Sequence, residues 1–193
     1  QLKYILYNMK TLKEQLNESL LNEAKRTGVN ILVGRFQPFT LGHLKCVQNI
    51  YRTRGLKTVL CMVETTKTDD RKPFLTKILK PFYKKLVKAY EEIEDIILIK
   101  NADIVKIGEE LGALGLTAKT WTCGTDRYES YSKMAKKYAP DTEVVEIKRE
   151  DSDVSATAVR EAIKADHKDR FEELVPQVLY GMYDKLREVL LAY

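Results

Sequence analysis

Ile31-Leu32-Val33-Gly34-Arg35-Phe36-Gln37-Pro38-Phe39-Thr40-Leu41-Gly42-His43 is the stretch that decides the fold. Its first three residues form an apolar run of the kind made by a strand buried on both faces. Gly34 and Pro38 turn the chain, and a helix is predicted to open near Leu41. The turn gathers backbone N–H groups, the cation Arg35, the hydroxyl of Thr40 and the imidazole of His43 at one helix N-terminus. Unsatisfied N–H groups and the peptide dipole make such a terminus attractive to anions, polyphosphates included.

Val154-Ser155-Ala156-Thr157-Ala158-Val159-Arg160 makes a second offer of the same kind. Ser155 is a good N-cap, because its hydroxyl can accept from a free amide of the first turn. Thr157 and Arg160 are three residues apart and share a helix face. Two such helix starts can grip one triphosphate from two sides. Gly124-Thr125-Asp126-Arg127 marks a third strand-to-helix turn. Gly124 permits close backbone approach. Asp126 reads equally as an N-cap and as a group orienting a ribose, a base or a hydrated magnesium ion.

Working outward, five apolar, β-rich runs alternate with helical patterns. Strands are predicted near Asn30–Gly34, Thr58–Val63, Asp95–Ile99, Lys119–Cys123 and Glu143–Ile147. Helices are predicted near Leu41–Arg54, Pro73–Tyr90 (broken or kinked at Pro81), Ile104–Leu114, Arg127–Tyr138 and Ser155–Ala165. This alternation predicts an α/β fold: a doubly wound five-stranded parallel sheet, with extra N- and C-terminal helices. Leu12, Leu16, Leu20 and Leu21 suggest an amphipathic helix ending near Gly28, and Met9 is a candidate natural start. Phe171 to Leu190 mark a closing helical region interrupted at Pro176. The expected organisation is an extension and helix over 1–28, a central domain over 29–167, and helices over 168–193 packing on it. Doubly wound sheets bind ligands at the carboxyl ends of their strands. All three turns fall there.

Composition narrows the classes. The chain has 193 residues, 44% of them hydrophobic, enough for one α/β domain. No apolar run approaches the roughly 18–20 residues that span a bilayer, and no signal-peptide pattern opens the chain. A cytoplasmic setting without membrane partners is expected. Three cysteines and two histidines, with no Cys-x-x-Cys pair, argue against a zinc site or a disulfide framework. No protein-held metal is expected. Cys46 and Cys61 read as core residues, Cys123 as a buried strand residue, Trp121 as packing and His167 as surface. Thr66–Tyr90 holds eight Lys/Arg against two Asp, whereas Asp141–Glu173 holds eleven Asp/Glu against six Lys/Arg. The basic middle reads as a solvated helix face carrying Lys77, Lys84 and Lys88, so a nucleic-acid partner is not expected.

Two helix starts bearing hydroxyls and cations suit transfer of a nucleotidyl group. A phosphate nucleophile is already ionised at neutral pH, so no general base is needed. The requirements are alignment on the α-phosphorus and neutralisation of the leaving pyrophosphate. Scarce histidine argues against a Ser-His-Asp arrangement.

Thr40-Leu41-Gly42-His43 together with Ser155-Ala156-Thr157-Ala158-Val159-Arg160 resembles the paired signature of the HxGH-type nucleotidyltransferase superfamily. Within it, Gly34-Arg35-Phe36-Gln37-Pro38-Phe39 is most similar to archaeal-type and phage nicotinamide-nucleotide adenylyltransferases. Pro73-Phe74-Leu75-Thr76 and Glu173-Leu174-Val175-Pro176 extend the likeness, which covers Ile31 to about Tyr180. The resemblance implies a Rossmann-like nucleotidyltransferase fold. It also implies the reaction of ATP with nicotinamide mononucleotide to give NAD and pyrophosphate, with Mg2+ held mainly by the ATP phosphates. His43, Arg160 and Thr40 would be the catalytic set, His43 stabilising charge on the α-phosphate. Gly34, Arg35, Phe36, Gly42, Gly124, Asp126, Arg127, Ser155 and Thr157 would complete the nucleotide-binding set. Thr40 stands where the archaeal type usually has histidine, and Asn101–Glu110 lacks a tryptophan that can stack nicotinamide. The alternatives are an adenylyl- or cytidylyltransferase for pantetheine phosphate, a flavin nucleotide or glycerol phosphate, and a non-catalytic nucleotide- or nucleic-acid-binding module. Related enzymes form symmetric oligomers, which leaves a homo-oligomer open here.

Overall fold

A computed structural model of the chain describes residues 26–148 and 154–192. Five strands, β1 (Thr27–Gly34), β2 (Thr58–Val63), β3 (Ile93–Ile99), β4 (Leu116–Gly124) and β5 (Glu143–Ile147), form one sheet in the order β3-β2-β1-β4-β5. All four pairings are parallel. Between and after them come α1 (Leu41–Arg54), α2 (Thr76–Ala89), α3 (Ile104–Ala113), α4 (Thr125–Tyr138), α5 (Ala156–Lys164), α6 (Lys168–Glu172), a 3-10 turn (Gln177–Met182) and α7 (Tyr183–Leu191). From β1 the chain winds outward through β2 and β3, then crosses back to β4. The winding direction reverses between β1 and β4, and that switch point is where a doubly wound sheet opens a crevice.

The continuous apolar strands are buried on both faces. Side chains alternate across the sheet, so neighbours in sequence enter different cores. Leu32, Leu60 and Met62 join one cluster with Leu44, Val47, Leu79, Leu86, Val159 and Ile163. Ile31, Val59 and Cys61 join the other with Ile104, Ile107, Leu111 and Trp121. Phe171, Leu174, Val175, Leu179, Met182 and Leu186 belong to the first cluster, so the closing helices pack on the central sheet. Trp121 is fully buried and stacks on Tyr131 at 4.0 Å.

A polar cluster sits among the central strands of this hydrocarbon. Asn30 accepts from the hydroxyls of Thr120 and Thr122, both at 2.7 Å, and donates to Thr58 Oγ1 at 3.0 Å. All four residues are buried, so the cluster satisfies itself, as buried polar groups must.

Several predicted boundaries shift. The expected N-terminal helix lies outside the described residues, but its expected end near Gly28 is corrected. Thr27 N–H bonds Gly115 O, and Gly28 and Val29 are in register with Thr117 and Ala118, so Gly28 is strand. The helix predicted from Pro73 begins at Thr76 and runs through Pro81 unbroken to Ala89. Proline there withdraws a donor only from the carbonyl of exposed Lys77, which water can serve. No helix of the described residues is long and apolar enough to cross a membrane.

Candidate functional site

The first corner follows β1. Phe36 takes a left-handed backbone, φ 48°, which a bulky residue adopts only under strain of about 1–3 kcal/mol. The rings of Phe36 and Phe39 lie 5.5 Å apart, and each stands 5.2 Å from the imidazole of His43. Thr40 caps α1 in a reciprocal box: its hydroxyl accepts from His43 N–H, and its own N–H donates to His43 Nδ1 at 3.0 Å. A backbone N–H can only donate, so Nδ1 is the bare nitrogen and Nε2 carries the proton; this tautomer is assigned from the network. His43 is therefore a half-buried ring, oriented by two phenylalanines and a cap, with an N–H donor at Nε2.

Thr40 is enclosed between the two signatures. It is fully buried, and its hydroxyl shares one proton between His43 Nδ1 at 2.9 Å and Val154 O at 3.3 Å. In this structure the residue serves the cap that fixes the imidazole following it.

The second signature docks on the first. A Cβ built on Gly42 would stand 2.8 Å from the carbonyl oxygen of Val154, so only glycine lets the two segments approach this closely. Ser155 caps α5, accepting from Ala158 N–H at 3.1 Å, as predicted. Arg160 donates through Nη2 to Thr157 Oγ1 at 3.1 Å and through Nη1 to Gln37 O at 2.8 Å. Partial burial pulls its guanidinium below the ordinary value, opposed by Glu161, yet arginine stays a cation. Gln37 is itself tied down. Its side-chain amide donates to Phe74 O at 2.8 Å and accepts from Phe74 N–H at 3.0 Å. His43 and Arg160, far apart in sequence, thus attach to one loop.

The third corner is open. Gly124 caps α4 without a side-chain bond, so Asp126 falls in the first turn and is not the N-cap. Its carboxylate lies 3.5 Å from Arg127 Nε, with both side chains well exposed. A cavity of about 640 Å3 adjoins this turn, lined by Thr125, Asp126, Glu146 and Lys148. A second, of about 530 Å3, lies between α3 and α4 and touches no residue of either signature. The Cys123 thiol is pushed up to about 11 by burial, then by Asp126 and Glu146; it stays protonated at neutral pH and is no nucleophile.

The structure brings Gly34, Phe36, Gly42, His43, Ser155, Thr157 and Arg160 to the carboxyl end of β1. Arg35 is exposed at the same end. Gly124, Asp126 and Arg127 stand at the end of β4, the neighbouring strand. Among the described residues, no three His, Cys, Asp or Glu side chains form a metal cluster. Gln37, Phe39 and Val154 join the site without having been assigned a role. Gln37 carried a signal, as an amide on a loop otherwise built of Phe and Pro. Val154 acts through its carbonyl, which residue type does not advertise.

The sequence model of the cytidylyltransferase-like family matches residues 31–162. No curated protein matches the chain. Among solved structures, a protein from Vibrio parahaemolyticus assigned as a nicotinate-nucleotide adenylyltransferase has 14% identity and a TM-score of 0.60, covering 83% of this chain and 94% of its own. The Plasmodium falciparum nicotinic acid mononucleotide adenylyltransferase complexed with APC has 13% identity and a TM-score of 0.55, covering 84% and 98%. Thermotoga maritima TmcAL, bound with alpha-thio ATP, has 13% identity and a TM-score of 0.54, covering 86% and 55%. At these identities the likeness is one of fold.

Proposed function

This chain belongs to the cytidylyltransferase-like family of nucleotidyltransferases, and we propose that it transfers the adenylyl group of ATP to the phosphate of nicotinamide mononucleotide. The acceptor oxygen bonds to the α-phosphorus, the bond from that phosphorus to the β-bridging oxygen breaks, and pyrophosphate leaves. The products are NAD and pyrophosphate.

One observation carries the reading. Two phosphate-type helix starts, more than a hundred residues apart, are hydrogen-bonded to each other at the switch point, through Thr40 to Val154 and Arg160 to Gln37. The chemistry needs positioning and charge stabilisation, with no base. His43 Nε2–H would donate to an α-phosphate oxygen, strengthening as negative charge builds there. Arg160 and the N-termini of α1 and α5 would neutralise the departing pyrophosphate. Arg35, exposed beside them, would meet the outer phosphates. Magnesium would arrive as the counter-ion of the triphosphate. The turn at Gly124–Arg127, with its adjoining cavity, would receive the nucleoside. The Plasmodium and Vibrio neighbours, named for pyridine-nucleotide adenylyl transfer, support an acceptor of that class.

The test is turnover. Incubated with Mg-ATP and nicotinamide mononucleotide, the protein is expected to release pyrophosphate and form NAD, followed by phosphorus NMR and chromatography. The same assay with nicotinate mononucleotide, pantetheine phosphate, flavin mononucleotide and glycerol phosphate, each with ATP and CTP, fixes the acceptor. Turnover with one of these and none with nicotinamide mononucleotide would remove the specific assignment.

A further inference from the structure

We infer that Tyr83, on α2, is a positioning residue for nucleotidyl transfer, its hydroxyl holding the β1–α1 loop in the shape that presents His43 and Arg160. The inference rests on the function proposed above. The buried positions of α2 are Thr76, Leu79, Tyr83 and Leu86, one helical stripe facing the core. Leu79 and Leu86 suit a core at no cost, and Thr76 satisfies its hydroxyl by accepting from Thr65 N–H at 2.7 Å. A phenol among hydrocarbon is costly unless its oxygen both donates and accepts. Tyr83 does both. Its hydroxyl donates to Phe36 O at 2.5 Å and accepts from Phe39 N–H at 2.8 Å. Burial drives the phenol well above its ordinary value, so it stays neutral and keeps the proton it donates.

The two bonded groups bracket the loop. Between them lies Gln37, whose carbonyl takes Arg160 and whose amide grips Phe74. At the bracket's ends stand Phe36 and Phe39, the two rings against His43. The Tyr83 ring also meets Phe39 edge-on at 6.2 Å. Phe36 is the strained residue of this turn, and a left-handed phenylalanine persists only where its surroundings over-determine it. The Tyr83 hydroxyl is one such constraint. Without it, Phe36 can relax towards ordinary backbone angles, which moves a ring off the imidazole and the Gln37 carbonyl off the guanidinium. Both charge-stabilising groups depend on one oxygen that never meets substrate.

Tyr83→Phe removes that oxygen and keeps the ring. The expected result is a kcat for pyrophosphate release lower by about tenfold or more, since small misplacements of catalytic groups are expensive, with KM for the acceptor nearly unchanged. Leu86→Val, one turn along the same stripe, serves as the stability control. It is expected to lower Tm comparably and leave kcat intact. Wild-type kcat in folded Tyr83→Phe overturns the inference, and so does an equal kcat loss in Leu86→Val. Should Tyr83→Phe fail to fold, 3-fluorotyrosine installed at position 83 alone perturbs the same oxygen at nearly constant size. A twofold or greater fall in kcat is then expected, and none overturns the inference. If the wild-type protein turns over no acceptor, the functional reading has failed. The positioning role is then read from tripolyphosphate binding by calorimetry, where Tyr83→Phe is expected to bind about tenfold more weakly and equal affinity overturns it.

Discussion

The corners after β1 and β4 stand on adjacent strands at the same edge of the sheet, and they are built in opposite ways. The β1 corner is enclosed. Thr40 is fully buried, Gln37 nearly so, and every turn of the loop is tied to another element. The β4 corner has a bare glycine cap and a solvated Asp126–Arg127 pair beside a cavity. The contrast teaches a division of labour. A group that must stabilise developing charge gains most from being fixed before substrate arrives. A surface that must accept a nucleoside can form its contacts on arrival.

The sharpest way to break this comparison is to remove one group from each corner. His43→Ala is expected to lower kcat about 10^2–10^3-fold with the fold intact by circular dichroism. Asp126→Ala and Arg127→Ala are expected to act mainly on KM for ATP, with kcat within about tenfold, because their contacts would serve ground state and transition state alike. Equal kcat losses in both corners would erase the division.

The same substitution placed in both corners sharpens it further. Gly42→Ala puts a methyl 2.8 Å from a backbone carbonyl that cannot turn away. It is expected to destabilise by about 1–3 kcal/mol, against the up to about 1 kcal/mol that alanine gains in a helix. At Gly124 the nearest atom is Asp126 Oδ1 at 3.0 Å, the end of an exposed side chain that can move aside, so Gly124→Ala is expected to cost only the N-cap preference of glycine over alanine, about 0.5–1 kcal/mol. Thermal denaturation of the pair decides.

A smaller effect concerns Cys123, the last buried residue before the open corner. With its thiol pushed up to about 11, alkylation by iodoacetamide is expected to be slow at pH 7.5 and to accelerate towards pH 11. Rapid labelling at neutral pH would mean that this corner opens deeper than its cavity.

The smallest effect lies far from both corners. Arg54 holds Glu143 through two hydrogen bonds, at 2.5 and 2.8 Å, and these keep the carboxyl below its ordinary range. The folded state therefore gains from the ionised form. That gain is present above the ordinary carboxylate range and is lost as pH falls through the lower, folded value. Glu143→Gln is expected to show a slightly lower Tm than wild type at pH 7 and none of that difference in acid.

Much of this was legible in the sequence, for identifiable reasons. Apolar runs such as Thr58–Val63, punctuated by polar helices, can satisfy their backbone only in a sheet covered on both faces. Ser155 announced its cap, and Thr157 and Arg160 their shared face, because those relations are local. What escaped was long-range. Gly42 owes its identity to a carbonyl on Val154, and Thr40 owes its burial to the same contact. Asp126 read equally as a cap and as a ligand group, and only the helix start at Thr125 removes the first reading. A tyrosine on the apolar stripe of α2 did advertise an oxygen in need of partners, but not that they were the two ends of a loop nearly fifty residues earlier.

Asn30 lies near the floor of the sheet, four residues below the rim where Gly34 ends β1. Its side chain recognises one threonine on β2 and two on β4, so three central strands can align in only one way without stranding a polar atom in oil. Leu32 is thereby level with Thr122, two residues before Gly34 on one strand and two before Gly124 on the other. The height at which the two corners face each other is thus decided at the floor, as a keystone cut at the springing of an arch decides where its halves meet.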